Sequence, residues 1–264
     1  MVRVRVVQHG GLRRRALRRR VLWGGGEVLV TLGVVLLLLV VHQVWWTNRE
    51  AREGAEREVR ALERAWDGSG GDSRTAVPAA SAPPAPASAS DGSPEPERSD
   101  GTRREPAAAP SPDWSRAYAI LTIPRLHLRV PVAEGVSKSG VLDKGYAGHY
   151  PGTQQPGQAG NFALAGHRNT HGEPFRYINR LAPGDTVRVE TRRATYTYAV
   201  DRTLPQTAAH DGSVIRPIPR SSVKRGYGYT DPGYYLTLTT CTPEYTSRYR
   251  LVVWAKLASM RPRT

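Results

Sequence analysis

The chain has 264 residues, of which 38 are Lys or Arg and 23 are Asp or Glu, so its formal net charge is +15. This charge favours anionic partners, such as a membrane surface, cell-wall polymer or nucleic acid, and does not determine the fold. Hydrophobic residues make up only 39% of the sequence, which indicates that part of the chain lies outside any core. The single cysteine excludes an intramolecular disulfide and a zinc site built from several thiolates.

The N-terminus combines a basic cluster with an apolar segment. Eight arginines and no acidic residue occur in the first 20 residues, and the 19-residue apolar run Val28–Trp46 follows. At about 1.5 Å per residue this run spans a hydrocarbon core of about 30 Å. A cleaved signal peptide or a buried core helix are the alternatives, but the run ends in Trp-Trp-Thr-Asn without an Ala-x-Ala site. We predict a basic cytoplasmic N-terminus at 1–26, an uncleaved transmembrane signal anchor at 27–47, and an extracellular remainder, because positive charge stays in the cytoplasm.

The sequence of residues 48–112 predicts a charged juxtamembrane helix followed by a linker. In residues 49–66 five arginines balance five glutamates, and pairs such as Glu53–Arg57 at i,i+4 predict a short, solvated helix that acts as a spacer. From 67 to 112, Pro, Ala, Ser and Gly account for 32 of 46 residues. Such a segment buries too little apolar surface to offset its ordering entropy. We predict a disordered tether, stiffened by proline, that holds the following domain away from the bilayer.

Residues 113–264 predict one mainly β domain with a net charge of +11, from 21 basic and 10 acidic residues. Its β-type stretches are separated by Pro-Gly and Asp-Gly turn signals, and the two stretches between 186 and 200 form a predicted hairpin. Short helical stretches are predicted near Lys138–Lys144 and Pro174–Leu181. The pattern favours a closed barrel or a sandwich. The predicted strands are Tyr118–Ile123, Leu128–Val132, Asn161–Ala165, Thr186–Glu190, Thr195–Val200, Tyr235–Thr240 and Arg250–Lys256.

Two predicted strands end in residues that carry chemistry. Cys241 ends an apolar strand that Pro243 stops, and His167 follows the apolar strand Asn161–Ala165. A sole cysteine in an extracellular domain suggests a reactive thiol or an intermolecular bond, and a buried structural residue is the other alternative. A thiol becomes a useful nucleophile beside a base or a cation, and imidazole is the usual partner.

An arginine is the third candidate. Arg250 lies nine residues after Cys241 and opens the last apolar strand. A turn near 245–247 would return the chain antiparallel and bring Arg250 back towards Cys241, where its guanidinium would stabilise an oxyanion. Arg248 shares the same strand face, so spacing alone does not separate the two arginines.

These motifs resemble the cysteine signature of the sortases, and most closely the class E sortases of high-GC Gram-positive bacteria. TLTTCTP at 237–243 with RLVV at 250–253, GHYPGT at 148–153 and GHR at 166–168 carry the resemblance, which extends over 117–257. It implies a closed, eight-stranded sortase-type β-barrel with short helices and a cysteine transpeptidase. In that family pattern Cys241 is the nucleophile, His167 the general acid and base, Arg250 the oxyanion-stabilising residue, and Thr240 a substrate-groove residue.

The resemblance also implies substrates, partners and a location. The substrates would be secreted proteins with a C-terminal sorting signal, LAxTG-like in class E, cleaved between Thr and Gly. The acceptor would be an amine of a peptidoglycan precursor or stem peptide. The enzyme would be a single-pass protein of the cell membrane with its catalytic domain outside. No cofactor, metal or nucleic acid is expected.

The sequence departs from the sortase pattern at two places that bear on substrate preference. Glu244 stands where family members carry a basic residue, and the segment Ser213–Gly233 is longer than usual. Glu244 is therefore a second candidate substrate-binding residue, favouring sorting signals with a nearby basic residue, unless it pairs with a neighbour such as Arg248.

Two other functions remain as alternatives. His167 and His171 have the i,i+4 spacing of a metal pair, but no convincing third ligand accompanies them in the sequence. The +11 domain would also suit a non-catalytic β-barrel module that binds anionic cell-wall polymer, because basic charge alone suffices for that. Loss of function in Cys241→Ala distinguishes a transpeptidase from a binding module.

Overall fold

A computed structural model describes residues 10–68 and 116–263. The predicted disordered tether lies almost entirely outside the described residues, as do the first nine residues of the basic N-terminus. The described part consists of one long N-terminal helix and one β-barrel.

Eight strands form the closed barrel, in the order β1-β2-β3-β4-β7-β8-β6-β5. Neighbouring strands are antiparallel except for β2 with β3 and β4 with β7. The predicted closed eight-stranded barrel is confirmed, and the hairpin of β5 and β6 is present. The strands are β1 Ala117–Ile123, β2 Leu128–Glu134, β3 Ala147–His149, β4 Gly160–Ala165, β5 Thr186–Thr191, β6 Ala194–Ala208, β7 Tyr234–Thr242 and β8 Tyr249–Pro262.

The structure differs from the predicted elements in three ways. The three-residue strand β3 was not predicted, and β6 and β8 are longer than predicted because they pair along most of their length. The predicted helical stretches contain only short 3-10 turns, Leu142–Lys144 and Ile178–Arg180.

The alternation of side chains along the strands creates two apolar regions. Leu236 and Leu238 of β7 lie in the main core inside the barrel, whereas Tyr235 belongs to a second cluster with Trp254 on the other face. Because successive side chains point to opposite faces of a strand, residue 241 falls on the outer face.

The N-terminal helix α1 spans Gly10–Asp67, 58 residues without a break. It is long and apolar enough to cross a membrane. Its most apolar stretch has a mean hydropathy of 2.4, and no part of that stretch is buried against the rest of the protein. This agrees with a single N-terminal anchor.

The predicted helix at 49–66 is present as part of α1, but it is not solvated on every side. In α1 the side chains of Ala51, Ala55 and Val59 are buried, and Arg129 of β2 forms an ion pair with Glu63. The charged residues occupy the faces that remain in solvent, while one narrow apolar face packs on the barrel.

Candidate active site

Cys241 lies at the end of β7, on the outer face of the barrel. Its thiol is free, and the residue is half-buried. In the antiparallel pairing of β7 with β8, Cys241 lies directly opposite Arg250. Opposed residues in such a pair project to the same side with their Cβ atoms about 4.5–5.5 Å apart. The predicted antiparallel return of Arg250 towards Cys241 is therefore present.

The two arginines near Cys241 differ in their placement. Arg250 is inside β8 and half-buried, and its Nη1 donates to the carbonyl oxygens of Ser247 (2.8 Å) and Tyr249 (3.0 Å). Arg248 precedes the strand, is exposed, and lies over the Tyr249 ring at 5.2 Å. The register separates the residues that spacing left equivalent, since Arg250 alone is paired with Cys241.

His167 follows β4, which runs parallel to β7. Ala165 is in register with Thr239, so a continuation of both chains brings His167 level with Cys241. The intervening Gly166 donates its N–H to the Thr239 carbonyl at 3.1 Å. A Cβ at position 166 would approach the ring of Phe175 to 2.7 Å. Glycine therefore allows the chain to stay close to the core while it delivers His167 to the barrel rim.

Asp143 is a member of the site that the sequence analysis missed. His167 Nε2 is 2.7 Å from Asp143 Oδ1, and Asp143 comes from the short turn Leu142–Lys144. An ionised carboxylate only accepts hydrogen bonds, so Nε2 carries the proton in neutral His167 and Nδ1 is left as the basic nitrogen. Asp143 thus orients the ring and selects its tautomer.

His171 completes a group that offers three potential metal ligands. One atom each of Asp143, His167 and His171 lies within 4.8 Å of the others, so Asp143 is a third potential ligand that the sequence did not reveal. A tetrahedral zinc ion holds its ligand atoms about 3.3 Å apart. The 2.7 Å between His167 and Asp143 is instead a hydrogen-bond distance. We therefore interpret this pair as a hydrogen-bonded histidine and carboxylate.

Arg168 supports the strand end that carries the nucleophile. Its side chain is 7% exposed, and Nη1 donates to the carbonyl oxygen of Cys241 (3.1 Å) and to Thr242 Oγ1 (2.8 Å). The guanidinium thereby ties the chain after β4 to the end of β7. The GHR motif contained this residue, but no sequence signal indicated its partner.

The two predicted substrate-binding residues are occupied by contacts within the protein. Thr240 is buried on the face of β7 opposite to Cys241, and its hydroxyl donates to the Gly166 carbonyl at 2.8 Å. Glu244 lies 3.8 Å from Arg168 and 4.0 Å from Arg176. It pairs with these arginines and not with Arg248, the neighbour considered from the sequence.

The comparisons with known proteins agree with this architecture. Residues 121–258 match the family described as the Sortase domain. Sortase SrtE1 of Streptomyces coelicolor is 51% identical over 154 residues, which are 56% of this chain but only 42% of that relative's length. Sortase SrtE2 of the same organism is 32% identical over 82% of this chain and 74% of its own length.

Solved structures show the same relationship. The crystal structure of Sortase E1 from Streptomyces coelicolor with a tripeptide in the active site has a TM-score of 0.53 and 50% identity, covering 56% of this chain and 92% of that one. The SrtF sortase from Corynebacterium diphtheriae has a TM-score of 0.51 and 26% identity, covering 61% of this chain and 94% of that one. The resemblance to class E sortases seen in the sequence is confirmed, and the chain belongs to the sortase family.

Proposed function

We propose that this protein is a membrane-anchored cysteine transpeptidase that cleaves an LAxTG-like sorting signal between Thr and Gly. The acyl group is transferred to a cell-wall amine. One observation carries the proposal: Cys241 lies opposite Arg250 in the strand pairing, and the neighbouring strand end supplies His167, hydrogen-bonded to Asp143.

Acylation uses these groups in order. His167 Nδ1 takes the thiol proton, and the Cys241 sulfur attacks the threonine carbonyl carbon. The carbonyl oxygen becomes an oxyanion, which the Arg250 guanidinium stabilises. The C–N bond then breaks, His167 returns the proton to the glycine nitrogen, and the released amine leaves a thioester on Cys241.

Deacylation reverses these roles with a new amine. The incoming cell-wall amine attacks the thioester carbonyl, and His167 removes its proton. The C–S bond breaks, a new amide bond forms, and the proton returns to the Cys241 sulfur. The imidazolium formed in both half-reactions lies beside the Asp143 carboxylate, which stabilises it.

The predicted orientation places this chemistry outside the cell. The arginine-rich N-terminus stays in the cytoplasm, and α1 crosses the bilayer once. The partners are then secreted proteins with a sorting signal and the peptidoglycan precursor or stem-peptide amine. Protease added to intact protoplasts should remove the barrel domain, and full protection of that domain would contradict this orientation.

The direct experiment is a reaction with the full-length protein in detergent. Wild type and Cys241→Ala are incubated with a fluorogenic LAxTG peptide and an amine, and the products are identified by mass. Cleavage after Thr with transfer to the amine is expected for wild type, and no acyl-enzyme is expected for Cys241→Ala. A wild-type protein that never forms the thioester would refute the proposal.

A cationic cleft favours the second candidate function, binding of anionic cell-wall polymer. The cleft has a volume of about 730 Å³, is lined mainly by residues of the Ser213–Gly233 segment, and includes none of Cys241, His167 or Arg250. A binding module would sediment with purified anionic wall polymer in a salt-sensitive manner and would keep its whole activity in Cys241→Ala. Its basic lining residues are Arg202, Arg216, Arg220, Arg225 and Lys256.

A further inference from the structure

The outer part of α1 packs on the barrel through a narrow apolar face. Ala51, Ala55 and Val59 are only 8%, 3% and 4% exposed, and their four-residue spacing places them on the same side of the helix. Burial of this face makes the segment after the apolar run part of the folded domain. The cluster that includes Ala55 contains the barrel residues Ala117, Ala133, Val141 and Tyr146.

The turn that follows His167 has an unusual backbone. His171, Gly172 and Glu173 have φ values of 52°, 80° and 55°, so three consecutive residues are left-handed and two of them are not glycine. Such a backbone is sparsely populated, and it persists only where the surroundings hold it. The position of His167 therefore depends on whatever holds this turn.

Two side chains of α1 hold the turn. Asn48 Nδ2 donates to Glu173 Oε1 at 3.1 Å, and Asn48 Oδ1 accepts from the Gly172 N–H at 3.3 Å. Arg52 donates through Nε to the Gly172 carbonyl at 3.1 Å and through Nη2 to Glu173 Oε2 at 3.1 Å. The Glu173 side chain is only 5% exposed, so its carboxylate is fixed by these partners and by Arg176.

The same turn of α1 also touches the loop that carries Asp143. Gly145 follows the Leu142–Lys144 turn, and a Cβ at Gly145 would lie 3.0 Å from the Ala51 carbonyl oxygen and 3.2 Å from that of His171. The helix and the His171 turn therefore lie so close to the Asp143 loop that they leave no room for a side chain at position 145. The hydrogen bond between His167 and Asp143 joins two loops that rest on one helix.

We propose that Asn48 and Arg52 are positioning residues for catalysis, which hold the His167 loop against the Asp143 loop. The inference rests on the proposed transpeptidase function, since it concerns how the general acid and base is placed. Neither residue touches the substrate or the reacting atoms. They act through the turn Gly172–Glu173 and so through the orientation of His167.

The continuity of α1 gives this contact a second consequence. At about 1.5 Å per residue, Asn48 and Arg52 lie only about 3 Å and 9 Å along the axis beyond Trp46, the last residue of the apolar segment. The turn that they hold is therefore level with the first two helical turns outside the span. The helix thus keeps His167 at a fixed height near the bilayer surface, in contrast to the expectation that the tether holds the domain away from the bilayer.

The test uses the full-length protein in lipid nanodiscs, with active sites counted by alkylation of Cys241. Asn48→Ala and Arg52→Ala should each lower kcat per active site by about tenfold, because small misplacements of a catalytic group are costly. KM for the sorting peptide should change by less than about twofold, since neither residue binds it. The matched control is Arg60→Ala, on the same helix, where Arg60 forms an exposed pair with Glu56.

Two further variants separate positioning from general stability. Asn48→Asp keeps an acceptor for Gly172 but places a carboxylate against Glu173, so its kcat should be no higher than that of Asn48→Ala. The double variant Arg52→Ala with Asp143→Asn should lose less than the product of the two single effects, because both changes disturb the placement of His167.

The outcomes distinguish failure of the positioning role from failure of the transpeptidase function. Variants at 48 and 52 with the same kcat per active site as Arg60→Ala would overturn the positioning role, as would multiplicative effects in the double variant. A smaller number of active sites with unchanged kcat per site would also overturn it. An inactive wild-type protein would instead refute the transpeptidase function itself.

Discussion

The hydrogen bond between Asp143 and His167 makes Asp143→Asn the most informative single substitution in the site. Asparagine preserves the size of the side chain but removes its charge. Its amide can donate as well as accept, so it no longer specifies the tautomer with the proton on Nε2. The imidazolium of the proposed mechanism also loses its neighbouring carboxylate.

The size of the expected loss in activity follows from the geometry and the exposure of the His167–Asp143 pair. A hydrogen bond to a charged group contributes about 1.5–3 kcal/mol. At 2.7 Å this bond has good length, but the side chains of His167 and Asp143 are 18% and 31% exposed, and solvent screening reduces its contribution. We expect a loss of about 1–2 kcal/mol of transition-state stabilisation, which lowers kcat by about 5–30-fold.

The assay compares kcat and KM of wild type and Asp143→Asn on one sorting peptide, alongside thermal unfolding. Asp231→Asn serves as the control, since Asp231 is exposed and lines the cationic cleft, which includes none of the proposed catalytic residues. The loss should fall on kcat, with KM and Tm nearly unchanged. An unchanged kcat, or an effect confined to KM, would show that Asp143 does not act through His167.

Three further predictions concern other parts of the barrel. Arg250→Ala should lower kcat by about 10²–10³-fold and Arg248→Ala by no more than about twofold; the opposite order in the same cleavage assay would mean that the wrong arginine was assigned. Because Glu244 pairs with Arg168, Glu244→Lys should leave the ranking of LAxTG peptides with x as Glu, Ala and Lys unchanged, and a reordered kcat/KM would instead indicate substrate contact. Asp211→Asn should cost about 1–3 kcal/mol of unfolding free energy at pH 7, measured by urea unfolding, and a constant difference from pH 7 to pH 3 would contradict it.

The pH dependence expected for Asp211 follows from its hydrogen bonds. Burial alone would raise the pKa of this carboxyl, but donors from Ser213, Ser221 and Thr207 and the N–H of Ser222 together hold the pKa well below its usual range. A depressed folded-state pKa gives stability that is complete above the unfolded value of about 3.9 and is lost as the pH falls below it. The advantage of wild type over Asp211→Asn should therefore shrink below about pH 4.

The strands of the barrel were largely predictable because each carries its own local pattern. Apolar alternation and turn residues predicted seven of the eight strands, and the cysteine and arginine at facing strand ends predicted the pairing of Cys241 with Arg250. The strand β3 was missed because three residues are too few to show alternation. Its hydrogen-bonding partners, in β2 and β4, are set by the closure of the barrel.

The partner of His167 was not predictable for a different reason. Asp143 precedes His167 by 24 positions and belongs to a short turn with no motif of its own. Only the fold brings the turn to the barrel rim, where one carboxylate among several becomes the acceptor for the histidine. The same holds for Arg168, whose role depends on the carbonyl of Cys241.

The sequence does contain a pattern that predicts the packing of α1 on the barrel, but the surrounding charged residues make it hard to recognise. Ala51, Ala55, Val59 and Leu62 recur at spacings of four, four and three, which is the pattern of a buried helical face. Two of the four are alanines, which contribute little hydrophobicity, while ten charged residues surround them. The opposing surface on the barrel, which includes Ala117, Ala133 and Tyr146, is assembled from distant segments and exists only after folding. Charge balance therefore predicted a spacer, whereas the segment packs on the barrel through its apolar face. In our proposal this packing supports the position of His167.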